Sequence, residues 1–250
     1  MNKIYENLCE MLINKGEKVE NTLEVRNVQF TLKDINENII TNRNISYEYI
    51  LGELIWYFTG SNDVNFISKF GSLWKKISDD GKTNNSAYGY ILKRKFKFDQ
   101  IEKIIDLLSK DKNSRRAVLN INTPNFDVID TKDEPCTIAI QYLIRDGKLN
   151  CTTFMRSNDI YYGLPYDAIF FTELQKHVAN RLGLEYGEWT HFATSLHVYE
   201  RDIDKIKNLK NDKISYKVNI EKLISNCYSL YVVVDKNNIM KYAIDWGILY

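Results

Sequence analysis

The stretch that most constrains this chain is Met155-Arg156-Ser157-Asn158-Asp159-Ile160-Tyr161-Tyr162-Gly163-Leu164-Pro165-Tyr166-Asp167, which runs directly into a long apolar segment. Leu149 to Met155 reads as a strand, and residues 165–182 predict an apolar helix with a proline in its first turn. Gly163-Leu164-Pro165 is the turn between them. Whatever else the chain does, it must place an arginine, a hydroxyl, an amide and two carboxylates at one strand–helix junction. A guanidinium and a hydroxyl both donate to anionic oxygens, so Arg156 and Ser157 make a natural phosphate contact. Asp167 falls in the first helical turn, facing whatever the arginine holds. A phosphate at one end and a polar reader at the other point to a nucleotide.

Composition narrows the partners. The 250 residues suit one large α/β or α+β domain with a sizeable core. Lysine and arginine (34) nearly balance aspartate and glutamate (33), leaving a net charge of +1. A binder of polymeric nucleic acid carries a clearer basic excess, so a small anionic substrate fits better and no nucleic acid is expected. The sequence has no run of 18 apolar residues, and Met1-Asn2-Lys3 opens no signal-peptide core; a cytoplasmic protein without membrane contact is the expectation. Cys9, Cys136, Cys151 and Cys227 lack CxxC spacing, and with three histidines in the chain no metal site is expected. In a reducing compartment they are free thiols, small and apolar enough to be buried. Cys136 differs, because it follows Pro135 and precedes a strand, at a loop edge where side chains more often serve function.

Residues 2–15 repeat at helical spacing through Ile4, Leu8, Cys9, Met11 and Leu12, and residues 22–32 alternate as a strand does. Ser46 caps an apolar helix from Tyr47 to Phe58, closed by Gly60. Glu53 stands inside it among Leu51, Leu54, Ile55 and Trp56. Facing solvent it would be ordinary; buried, it needs a partner or a raised pKa, as general acid–base carboxylates have. Residues 63–77 predict a helix with Trp74 near its end, 82–90 a polar loop, and 99–109 an amphipathic helix. Asn113-Ser114-Arg115-Arg116 leads into a β run from Ala117 to Ile121, and paired arginines there suit either a solvated edge or a phosphate. After a loop over 122–135, the runs 138–144 and 149–155 predict a hairpin around Asp146-Gly147. A strand over 187–199 follows, then short helices alternating with β runs over 213–219 and 228–234. No repeat or linker divides the chain, so one domain over 1–250 is expected.

Taken in order, these residues resemble the thymidylate synthase family. The likeness rests on Glu53-Leu54-Ile55-Trp56, Ser114-Arg115-Arg116, Pro135-Cys136, Gln141, the run Arg156-Ser157-x-Asp159-x-x-x-Gly163-x-Pro165, and His197-x-Tyr199. It implies a three-layer α/β fold whose large twisted mixed sheet forms a homodimer interface. Cys136 then resembles the nucleophile that adds to C6 of a pyrimidine, its thiolate favoured by a nearby arginine. The likeness makes Arg156 and Ser157 phosphate ligands, joined by Arg115 and Arg116 from a second subunit. His197 and Tyr199 match the pair that bonds the sugar 3′-hydroxyl, and Gln141 and Asn158 fall with the substrate. Asp159 matches the residue that orients the folate pterin, with Gly163 and Trp74 in the same pocket. Glu53 matches the carboxylate that organises water and proton transfer at the base, and Tyr88 a tyrosine lining that water network. The implied co-substrate is 5,10-methylenetetrahydrofolate.

Departures from the synthases matter as much. Synthases that act on dUMP have asparagine where this chain has Asp167, and an amide donates to uracil O4 while accepting from N3–H. Cytosine reverses both edges, so a carboxyl that accepts from N4 and protonates toward N3 argues for a cytidylate. The ordinary alternative is an aspartate that only favours the helix N-terminus. The segments Asn84-Asn85-Ser86-Ala87-Tyr88-Gly89, Cys136-Thr137, Gln141 to Asp146 and Ser195 to Tyr199 also resemble the bacteriophage deoxycytidylate hydroxymethylases. Their chemistry would let water, positioned by a network of Glu53 and Asp167, finish the reaction where a synthase delivers hydride, and a viral source would place the protein in a host cytoplasm. The synthase phosphate loop Arg-Thr-Gly-Thr-Gly is missing near Glu20 to Glu24, which leaves Lys18 or Arg26 as candidates for its arginine. The ending Ile248-Leu249-Tyr250 also departs from the synthases. Other readings stay open at this point: a thymidylate synthase, a dUMP or CMP hydroxymethylase, and an inactive nucleotide- or RNA-binding relative, the last opposed by the intact Cys136, Glu53 and Arg156.

Overall fold

The structure, a computed structural model, describes residues 1–123, 130–210 and 215–250. In chain order it opens with α1 (Asn2–Lys15), β1 (Glu17–Val19), β2 (Thr22–Leu32), α2 (Tyr47–Phe58), α3 (Val64–Ile67), α4 (Leu73–Ile77), α5 (Tyr88–Tyr90) and α6 (Gln100–Lys110). It continues with β3 (Val118–Asn120), β4 (Thr137–Arg145), β5 (Lys148–Asp159), α7 (Leu164–Leu182), β6 (Glu185–Tyr199), α8 (Ile203–Lys207), α9 (Ile220–Val233) and α10 (Ile239–Asp245). These gather into two compact units, one of Met1–Ile45, Asp111–Val118 and Cys136–Ser215, the other of Ser46–Lys110, Leu119–Pro135 and Tyr216–Tyr250.

The first unit is built on a mixed sheet in which β1, β2, β6, β5 and β4 lie side by side in that order. Asp146 and Gly147 both take positive φ (51° and 74°), the twist a two-residue hairpin needs, and they return β4 antiparallel onto β5. α7 is the crossover that lets β6 run parallel to β5. Gly183 ends it in the left-handed region (φ 65°), with its N–H bonded to Ala179 and Asn180 carbonyls. The helix is buried along most of its length, and Gln175 donates from inside it to the carbonyls of Leu149, Gly187 and Glu188. Tyr5, Leu8, Cys9 and Leu12 give α1 its buried stripe, and the helix packs on β2.

Regular alternation fails at one level of this sheet. Leu149, Cys151, Thr153 and Met155 are buried at every second position of β5, and then the pattern resumes at Asn158 and Ile160. β6 does the same, passing from Trp189, His191 and Ala193 to Leu196 and Val198. Opposite that level in β2, Asn27 adopts φ 57° between the pairs Arg26–Ser195 and Val28–Ala193. The ends of β5 and β6 therefore leave the regular core pattern, and the expected nucleotide ligands lie there.

The second unit is helical. Ser46 Oγ accepts from the Tyr49 N–H at 3.2 Å and starts α2 where the sequence places it. α2 is apolar on all sides and is buried from Ile50 to Phe58, with α3, α5, α9 and α10 packed against it. Three expectations need correction. The helix over 63–77 is two short helices, because the chain turns at Gly71, where a Cβ would stand 2.7 Å from the Tyr49 ring. The β run over 228–234 is the end of α9: its valines favour a strand, but Leu223, Cys227 and Leu230 bury at helical spacing and the tertiary packing wins. The run over 213–219 lies partly outside the described residues, and its remainder makes a single bridge, Val218 to Leu249. Part of the loop over 122–135 also lies outside them. Among the described residues no helix is long and apolar enough to cross a membrane.

Gly89 shows how closely α5 approaches α2, since a Cβ there would stand 1.9 Å from the Tyr57 carbonyl oxygen. Gly89→Ala is expected to destabilise by about 1–3 kcal/mol, the usual cost of overpacking. Urea denaturation reads this as a lower midpoint, and an unchanged midpoint would refute the close approach.

Candidate active site

Cys136 ends the loop immediately before β4. The Arg156 N–H donates to the Cys136 carbonyl at 2.9 Å, extending the β4–β5 ladder so that the two residues lie side by side on neighbouring strands. The other three cysteines are buried, and Cys136 is half-buried. Burial pushes the Cys9 thiol up to about 12 and also raises Cys151 and Cys227. A thiol that must ionise to react is therefore poorly served at those three positions.

At the far end of β5, Ser157 Oγ lies 3.4 Å from His197 Nδ1 on β6, and the His197 and Tyr199 rings meet edge to face at 5.4 Å. The register that pairs Ser157 with Ser195 and Asp159 with His197 brings them together. Asp159 Oδ1 accepts from the N–H groups of Tyr161 (2.7 Å) and Tyr162 (3.2 Å), which turns the chain toward α7. Burial raises the Asp159 pKa, against the pull of those two N–H groups and of His197.

The turn then folds Asp167 back onto the strand. Asn158 Nδ2 donates to Asp167 Oδ2 at 2.8 Å. Gly163 makes the approach possible: a Cβ there would stand 2.9 Å from the Asp159 carbonyl oxygen, 3.0 Å from Asn158 Nδ2 and 3.3 Å from Asp167 Oδ2. Asp167 keeps some exposure along its length, but its carboxyl is deep enough that burial pushes its pKa up to about 7. The Asn158 amide opposes that rise, and the Asp159 charge adds to it. A carboxyl that is neutral over part of the physiological range can donate as well as accept.

In the helical unit Glu53 is buried, at 8% exposure, and is held from its own helix. Tyr49 Oη donates to Glu53 Oε1 at 2.7 Å and Tyr57 Oη reaches the same oxygen at 3.5 Å. The Trp74 indole donates to Tyr49 Oη at 2.9 Å, so Trp74, Tyr49 and Glu53 form a hydrogen-bonded series. Tyr88 stacks on Tyr57 with centroids 5.5 Å apart. The sequence reading missed Tyr49 and Tyr57, yet their signal was present: they lie four residues before and after Glu53, on one helix face.

Arg115 and Arg116 are exposed beside buried Ser114, and Gln141 Nε2 donates to the Arg115 carbonyl at 2.9 Å. Lys18 and Arg26 pair with Glu200 (2.8 Å) and Glu17 (3.6 Å) on exposed strands. Arg43, also missed, has its guanidinium 4.1 Å from the Tyr161 ring centroid and donates to the Tyr161 carbonyl, bracing the turn that carries Asp159. No sequence signal marks it. Among the described residues no cluster of histidine, cysteine, aspartate and glutamate could hold a metal ion.

Residues 3–242 match the family model for thymidylate synthase. The chain belongs to the thymidylate synthase family. It is 32% identical over 197 residues to a thymidylate synthase of Clostridium beijerinckii, covering 76% of this chain and 73% of the relative. A deoxyuridylate hydroxymethyltransferase of Bacillus phage SP01 is 29% identical over 240 residues, covering 86% of this chain and 62% of the relative. The chain spans less than two thirds of the length of that protein and of a second phage deoxyuridylate hydroxymethyltransferase. The thermostable thymidylate synthase A of Bacillus subtilis superposes with a TM-score of 0.75 at 25% identity, over 88% of this chain and 89% of that one. The mixed sheet with its helices is thus the thymidylate synthase fold, as the sequence resemblance implied.

The accessibility of the thiols can be read directly. A disulfide reagent is expected to label one of the four cysteines in the native protein and all four after denaturation. Cys136→Ala should abolish the native labelling, and rapid labelling elsewhere would contradict the assignment.

Proposed function

We propose that this chain is a deoxycytidylate 5-hydroxymethyltransferase that acts as one catalytic domain over its 250 residues. The observation that carries the reading is Asp167: a carboxyl bonded by the Asn158 amide at 2.8 Å stands where synthases acting on dUMP have an amide, and burial pushes its pKa up to about 7. In its neutral form it donates to cytosine N3 and accepts from N4, whereas uracil, with N3–H and O4, would need the proton on the other carboxyl oxygen. Arg156 and Ser157 bind the phosphate, and His197 and Tyr199 bond the sugar hydroxyl, with Gln141 beside them. A homodimer supplies Arg115 and Arg116 of a second copy to the same phosphate. The setting is cytoplasmic.

The Cys136 thiolate adds to C6, which makes C5 a carbon nucleophile. The co-substrate 5,10-methylenetetrahydrofolate supplies the one-carbon unit at C5. Asp159 suits the pterin of that co-substrate, because Oδ1 is committed to backbone N–H groups while Oδ2 can accept from a ligand. Gly163 keeps the space beside it free of a side chain, and Trp74 offers an aromatic wall. Loss of the C5 proton expels tetrahydrofolate and leaves an exocyclic methylene at C5; water adds to that methylene, and Cys136 departs from C6 as the ring double bond reforms. Glu53, with Tyr88 nearby, positions the water and moves the protons.

A second reading keeps the chemistry and changes the base. The phage relatives are named for deoxyuridylate, which favours dUMP as substrate. Product analysis by mass, with methylenetetrahydrofolate and either nucleotide, separates the two. Hydroxymethyl-dCMP without dihydrofolate is the expected result; turnover of dUMP alone would overturn the base assignment, and a methylated product with dihydrofolate would overturn the role of water. Asp167→Asn should shift the ratio of kcat/KM for dCMP to that for dUMP by at least about a hundredfold toward dUMP. Because the useful neutral form exists below the folded pKa, kcat/KM for dCMP should fall as the pH rises through about 7.

A further inference from the structure

We infer that Asn158 is a positioning residue for base selection, which fixes Asp167 Oδ2 as the accepting oxygen and leaves Oδ1 to carry the proton toward the base. The inference rests on the reading of Asp167 as the group that meets the pyrimidine edge. Three features of the junction carry it. Asn158 is nearly fully buried, at 2% exposure, and its Nδ2 reaches one carboxyl oxygen, at 2.8 Å. Its other end, Oδ1, is buried and accepts no hydrogen bond among the described residues, so the carboxyl is the partner that orients the amide. Gly163 lets the pair close, since a Cβ there would press on Nδ2 from 3.0 Å and on Oδ2 from 3.3 Å.

The chemistry follows from one proton and two oxygens. A neutral carboxyl can hold its proton on either oxygen, and the two forms present different edges. An N–H donor held against Oδ2 disfavours a proton there and makes Oδ2 the carbonyl oxygen. Oδ1–H then donates to cytosine N3, while Oδ2 has a lone pair left for the N4 amino group. An unrestrained carboxyl would offer both forms and lose part of its selectivity. The ionisable groups around this end of the unit include Asp159 at the end of β5, His197 on β6, Asp202 and Lys205 beyond it, the Tyr161 and Tyr162 phenols of the turn, and Arg43 over the Tyr161 and Tyr166 rings. Of these, Asp159 acts on Asp167 directly and raises its pKa, while the Asn158 amide lowers it.

The test is kcat/KM for dCMP and for dUMP between pH 6 and 9, in the wild-type enzyme, Asn158→Ala and the isosteric Asn158→Asp. Loss of the donor should lower the dCMP-to-dUMP ratio about tenfold, the worth of one oriented hydrogen bond, and move the basic limb of the dCMP profile to higher pH. Asn158→Asp should move that limb further, because a second carboxylate then faces Asp167. It also carries the test if the alanine variant does not fold. Equal losses on both nucleotides with an unshifted profile would mean that Asn158 only supports the turn, and would overturn the inference. Wild-type turnover of dUMP alone would instead overturn the reading of Asp167, and this inference with it.

Discussion

Burial of the Asp167 carboxyl is the constraint on which the rest of the β5–α7 junction depends. Two effects compete there. The N-terminus of α7 favours an anion by about 0.3–1 kcal/mol, which moves a pKa by less than about one pH unit. Desolvation acts the other way, and it wins, because the pKa rises from 3.8 to about 7 even with an amide donating to the group. The fold has to supply that donor from the strand and bring the helix close enough to receive it. Glycine at 163, the Asx turn of Asp159 and the Arg43 brace beneath Tyr161 each serve that approach.

The second carboxylate is treated differently. Glu53 sits in the middle of a helix that is apolar on every side, where an unpartnered charge would be costly. Its helix supplies the remedy through tyrosines one turn away in each direction, and Trp74 holds one of them in place. Phenolic donors can bond a carboxylate without neutralising it, which suits the proton-transfer role proposed for Glu53. One carboxyl is thus tuned by burial beside an amide, the other by hydroxyl donors. Different environments for two carboxyls are a common way to divide binding from proton transfer.

Much of this was legible in the sequence, for physical reasons. The α2 boundaries followed from a serine cap and an unbroken apolar run, and the β4–β5 hairpin from Asp146-Gly147, whose turn needs positive φ. The junction after β5 declared its chemistry through residue types at fixed offsets. The Asn158–Asp167 bond did not, because it joins residues nine apart through the width of a turn that only coordinates reveal. The valine-rich end of α9 misled for the converse reason: local preference spoke for a strand, and burial at helical spacing decided otherwise. Tyr49 and Tyr57 were readable at four-residue spacing from Glu53, but aromatic residues in an apolar helix look like core until a buried carboxylate gives them a partner.

Reading cytosine through Asp167 requires the site to take up a proton. Calorimetric titration of dCMP and dUMP into the enzyme, in buffers of different ionisation enthalpy at pH 8, measures that uptake together with affinity. dCMP is expected to bind more tightly, with net proton uptake that vanishes near pH 5, where Asp167 already holds its proton. Tighter binding of dUMP, or dCMP binding with no proton uptake at pH 8, would contradict the reading of Asp167.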